Sequence, residues 1–170
     1  MELTTLANLA EIISALIVIG GLWFAVVQLL QYRQQRRDMA AIELARSFQS
    51  PAFASAFRSV MSLPDGIGAQ QLRERDPSFE NAAIQLSLTL ESVGIMVHRR
   101  MVGIETVWEL MGGVLLKTWD KLGVWIADVR TEQNHQKFDE WVQWLVEQLR
   151  RYQSESGTQP AYILYSDWRP

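Results

Sequence analysis

No cysteine occurs anywhere in the chain. That absence excludes disulfides, thiolate metal ligands and thiol nucleophiles together, and it suits a reducing compartment. Histidine is nearly absent too: His98 and His135 stand far apart, and neither has a second His or Cys at metal-ligand spacing. We therefore expect no metal and no cofactor. The chain also lacks a glycine-rich phosphate loop, a Walker lysine, a G-x-S-x-G elbow and a paired-carboxylate motif. Basic residues are not in excess, since acidic side chains outnumber them beyond Arg37, and there is no extended basic stripe; nucleic-acid binding is disfavoured.

What the chain does have is one long apolar run near its start. From Ile12 through Tyr32 no residue is charged, and at about 1.5 Å per residue that run is roughly 31 Å long, close to the hydrocarbon thickness of a bilayer. Between Ile12 and Val27 the one polar side chain is Ser14, whereas a soluble core helix normally keeps a polar stripe. A cleaved leader would need a basic start and a small-x-small exit, but Glu2 and Glu11 precede the run and Val-Val-Gln-Leu-Leu-Gln-Tyr ends it. A membrane span is the expectation. Arg33, Arg36 and Arg37 follow it directly and predict that the remainder faces the cytoplasm, beside the headgroups of membrane lipids.

Along that run a heptad seam reads Ala7, Ala10, Ser14, Ile17, Gly21, Phe24, Gln28, and Ala25 completes a small-x-x-x-small pair with Gly21. Such a seam allows a second helix to approach closely. The alternative is that these small residues simply face lipid.

After Arg37 the helical spacing continues through Ile42, Ala45 and Phe48 to Ser50-Pro51, a cap and first helical position. "LPDG" (Leu63 to Gly66) closes the next helix as a turn, and Asp76-Pro77 opens another. That helix carries Ala83, Leu86, Leu90, Val93 and Val97 on one face and Ile84, Leu88 and Ile95 on another, so it is expected at the centre of its domain. A brief helix from Ile104 to Met111 is predicted to end at Gly112-Gly113. A longer one then follows through Trp119, Leu122, Ile126 and Val129, and a last one carries Phe138, Trp141, Val142, Leu145 and Leu149. The predicted architecture is all-α: an anchor with its basic flank (1–37), a cytoplasmic helical bundle (38–153) and an extended aromatic tail (154–170). Tyr162, Tyr165 and Trp168 make that tail too apolar to stay solvated, so it is expected to dock on its own domain or on a neighbouring subunit.

Three residues stand out as a buried polar site. Glu91 interrupts the apolar "LSLTLESVGIMV" and lies either on a narrow polar edge of its helix or buried with a partner, for which Lys117, Lys121 or Arg130 is the natural choice. His98 and Arg99 follow at the helix end, where basic groups complement the carbonyl terminus or hold a small anion. His135 and Asp139, four apart, have the spacing of a proton-transfer pair but read more readily as a solvated helix terminus.

The phrases "SFQSPAF", "LPDG", "LESVGIMVHRR", "WDKLGVWIADVR", "WVQWL" and "DWRP" behind an apolar N-terminal span together resemble an uncharacterised group of bacterial single-span proteins whose cytoplasmic part is a domain of unknown function. The resemblance covers nearly the whole chain. It implies an inner-membrane anchor and a helical domain, and it supplies no activity, substrate or catalytic residue. The expected function is that of a scaffold or accessory subunit binding a second copy or a membrane-protein partner. A ligand- or lipid-sensing domain, or a small enzyme using Glu91 and His98, is the alternative.

Overall fold

The computed structural model describes residues 2–157 and 159–169; the side chains of residues 2–10, 12, 15, 33, 37, 38 and 156 lie outside that description. Seven helices and no strand occur among the described residues: α1 (Glu2–Phe48), α2 (Pro51–Met61), α3 (Ala69–Arg75), α4 (Pro77–His98), α5 (Ile104–Glu132), α6 (Glu140–Ser156) and α7 (Ala161–Leu164). The chain divides into two units, 1–39 and 40–170.

In the first unit α1 runs without a break. Its stretch from Leu16 to Phe48 contains a window long and apolar enough to cross a bilayer, and none of that window is buried within the protein. Trp23, at 72% exposure, typifies the stretch. Gly20 and Gly21 have nothing within 4 Å of where a side chain would stand.

The second unit is a helical domain whose core draws on every helix from the end of α1 to α6. Leu44, Val60, Leu72, Leu86, Leu90, Leu115, Trp125, Leu145 and Leu149 are all buried in it. The α4 helix packs against α2, α3, α5 and α6, as its apolar composition predicts. Its second face behaves otherwise: Leu88 is 65% exposed, and Ile84 is exposed as well.

Local side-chain chemistry sets the boundaries. Ser50 Oγ accepts from Phe53 N at 3.2 Å with Pro51 in the first turn of α2, and Asp76 Oδ1 accepts from Ser78 N at 2.7 Å at the start of α4. The LPDG turn places Gly66 at φ 68, and it is pinned to α5 by Gly66 N donating to Asp120 O (2.8 Å) and by the ion pair of Lys121 with Asp65 (2.7 Å).

Two expectations are corrected. Gly112-Gly113 does not end a helix, because α5 is continuous through both; each glycine costs about 1 kcal/mol relative to alanine, which packing readily offsets. Gly112 has a reason to be glycine: a Cβ there would stand 2.5 Å from the Trp108 ring, which lies back over it. The tail is not extended at "AYIL", which closes one helical turn after Pro160, with Leu164 N donating to Pro160 O at 3.0 Å. No strand lies beside it to pair its backbone groups, so the turn satisfies them locally.

Candidate functional site

The polar groups of the domain converge on the first turn of α6. Its N-cap residue, Asp139, makes no side-chain capping bond and sits in the left-handed region at φ 52, ψ 34. The cap comes from another helix: Glu91 Oε2 on α4 accepts from Trp141 N at 3.0 Å and Val142 N at 2.9 Å. A carboxylate at that end also faces the positive pole of the helix. The α3 helix repeats the device, for Gly68 offers no side chain and Asp128 Oδ2 on α5 accepts from Ala69 N at 2.9 Å.

Arg130 completes the joint from α5. It donates to Phe138 O (2.7 Å), Asp139 O (3.1 Å) and Gln143 Oε1 (2.6 Å), holding the entry to α6 by its carbonyls. The expected cationic partner of Glu91 is therefore corrected. Lys117 pairs with Asp120, Lys121 with Asp65, and Arg130 is taken up by α6, while the acid is satisfied by main-chain amides.

Asp139 itself is 5% exposed, and its Oδ2 finds no hydrogen-bond partner. Burial pushes its pKa up to about 6; the Ser87 hydroxyl draws it back, the Glu91 charge raises it and Arg130 lowers it.

Glu91 and His98 meet the same turn by different means. The His98 ring lies 4.6 Å from that of Trp141 and 5.6 Å from that of Trp144, and the two indoles stand 5.8 Å apart. Both His98 and Arg99 are exposed, however, so the buried polar site expected of Glu91, His98 and Arg99 does not form. They fall at the last turn and C-cap of α4, beyond the buried stretch ending at Gly94. The buried polar side chains are instead Ser87, Thr118 and Asp139. Gly94, between Glu91 and His98, marks a close approach of α4 to α6: a Cβ there would lie 2.5 Å from Trp141 O. An isolated glycine inside an apolar helix is the sequence signal for such an approach.

This joint is a docking device, because Glu91 and Arg130 spend most of their hydrogen bonds on backbone groups at the start of α6. Glu91→Ala leaves two amides at the start of α6 without an acceptor, and a loss of about 1–2 kcal/mol is expected. Thermal melts of the variant and the parent chain, with Glu91→Gln as the intermediate case, check it.

Elsewhere, the seam residues Ser14, Ile17, Gly21, Phe24, Ala25 and Gln28 are exposed, while the side chains of Ala7 and Ala10 lie outside the description. Of the basic flank, Arg36 lies over the Tyr32 ring at 5.2 Å, and the side chains of Arg33 and Arg37 are outside the description. In the tail, Tyr165 lines a cleft with Trp108 and Tyr152, whereas Tyr162 and Trp168 stay 79% and 70% exposed.

The architecture defines a class: a helical domain preceded in the same chain by a helix able to cross a membrane. Residues 15–149 match the family described as Domain of unknown function (DUF4760), and the chain belongs to that family. No curated protein and no solved structure matches it.

Proposed function

We propose that the chain is a membrane-anchored scaffold or accessory subunit rather than an enzyme. In this reading it crosses a bacterial inner membrane once, places the helical domain on the cytoplasmic side, and binds a second copy or a larger membrane-protein complex. The orientation rests on the arginines that follow the apolar run. The observation that carries the reading is the number of large apolar side chains left exposed on the folded domain: Leu88 on α4, Leu110 and Val124 on α5, and Tyr162 and Trp168 in the tail. The seam through Gly21 supplies the contact within the bilayer.

The cysteine-free chain permits a direct test. Gly21→Cys lies on the seam, and Ile19→Cys lies about 160° around the helix from it. On oxidation of intact membranes, Gly21→Cys is expected to give disulfide-linked dimers several-fold more readily than Ile19→Cys. If the partner is another protein, a stoichiometric companion co-purifies in mild detergent instead. Equal cross-linking at both positions, or a monomer with nothing co-purifying, overturns the reading.

A further inference from the structure

We propose that the cleft between α5, α6 and the tail is a binding site for a small quaternary ammonium cation of the trimethylammonium class. The cleft has a volume of about 320 Å³, at the lower end for small-molecule sites and suited to a headgroup-sized ion. Trp108 on α5 and Tyr152 on α6 form two walls, their ring centroids 6.1 Å apart and their planes inclined at 59°. Tyr165 is a third aromatic residue lining the cleft, and Glu109 is the one acidic residue that lines it.

Each component has a local cause. Gly112, one turn beyond Trp108, leaves room for the indole to lie along α5. Gly157, at φ 85, turns the chain as it leaves α6. The single turn of α7 then brings Ala161, Leu164 and Tyr165, spaced i, i+3, i+4, to the cleft and leaves Tyr162 outside. Part of the aromatic tail thereby acquires a role as a wall of the site.

Charge selects the ligand. The Glu109 side chain has no ion pair or hydrogen bond among the described residues, so a cleft lined by three aromatic residues also carries one uncompensated acidic group. A neutral apolar ligand would fill the cleft but leave that carboxylate unmatched. A trimethylammonium group presents methyls to the ring faces while its diffuse charge meets both the ring quadrupoles and Glu109. The group could belong to a free solute or to a lipid headgroup, and the chemistry recognised is the same. The inference stands independently of the partner-binding reading.

The test uses the full chain in nanodiscs of phosphatidylglycerol, titrated calorimetrically with choline, with tetramethylammonium, and with 3,3-dimethylbutan-1-ol, the neutral carbon isostere of choline. Both cations are expected to bind saturably in the millimolar range or tighter, and the isostere about tenfold more weakly or not at all. Glu109→Gln and Tyr165→Ala, both at exposed positions, are each expected to weaken choline by about tenfold with an unchanged melting temperature. Repeating the titration in phosphatidylcholine nanodiscs assigns the source: loss of the choline signal indicates a lipid headgroup, and its persistence a free solute. Equal binding of the isostere, no effect of Glu109→Gln, or no saturable binding of either cation overturns the proposal.

Discussion

Gly94→Ala is expected to destabilise the domain by about 3 kcal/mol, at the upper end of what overpacking costs, and to lower its melting temperature by roughly 10 °C. The new methyl would stand 2.5 Å from Trp141 O and 2.8 Å from Trp141 Cβ. The obstructing atoms are the α6 backbone and the Cβ fixed to it, none of which can rotate aside, so α4 and α6 must separate. Separation also weakens the bonds from Glu91 to the Trp141 and Val142 amides, because Glu91 and Gly94 lie three apart on the same face of α4. Gly113→Ala is the matched control. It too falls within a helix, but nothing lies within 4 Å of its new methyl, so helix propensity alone should stabilise the chain by up to about 1 kcal/mol. Melting curves that rank the two variants in the opposite order would show that α4 and α6 do not meet at Gly94.

The contrast between these two glycines also shows which parts of the fold are legible in the sequence. Ser50-Pro51 and Asp76-Pro77 are readable as helix starts because the cap and the amide it serves are two or three residues apart. The caps of α3 and α6 are not readable in this way. Asp128 lies 59 residues from the amide it accepts, and Glu91 lies 50 and 51 from its two, so the pairing exists only once the helices have packed. Glu91 is conspicuous by its apolar surroundings, which mark it as a residue needing a partner. They carry no information that the partner is a helix end rather than a lysine.

Glycine is ambiguous in sequence for a related reason. Gly112-Gly113 resembles a stop, yet the packing of α5 holds the helix through it, whereas at Gly94 a neighbouring backbone occupies the space a side chain would take. The apolar pattern of α4 predicts its central place but not that Leu88 remains exposed, since periodicity identifies apolar faces and not what covers them. Asp139 is the residue least visible beforehand. In sequence it belongs to a polar stretch with His135, and only the left-handed turn at its own position carries it under α4.

Asp139→Asn is expected to stabilise the domain at neutral pH and to do nothing in acid. Burial raises the folded-state pKa of Asp139 from 3.8 to about 6, with the Glu91 charge adding to the rise and Ser87 and Arg130 opposing it. Between those values the folded chain retains a proton that the unfolded chain has lost, so stability falls as pH rises through the window and the full penalty applies above it. A shift of about 2 units corresponds to roughly 3 kcal/mol. Asparagine cannot ionise, matches the shape of the protonated acid and tolerates the left-handed backbone at φ 52. Its melting temperature should therefore exceed that of the parent chain by several degrees at pH 7.5, and the two curves should converge near pH 4. Glu91→Gln separates this effect from a general loss of charge at the joint, because removing that carboxylate sacrifices a cap along with a neighbouring negative charge. If Asp139→Asn and the parent chain instead show parallel pH profiles from 4 to 8, the Asp139 carboxylate keeps the same affinity for its proton in the folded and unfolded chain, and its burial carries no pH-dependent cost.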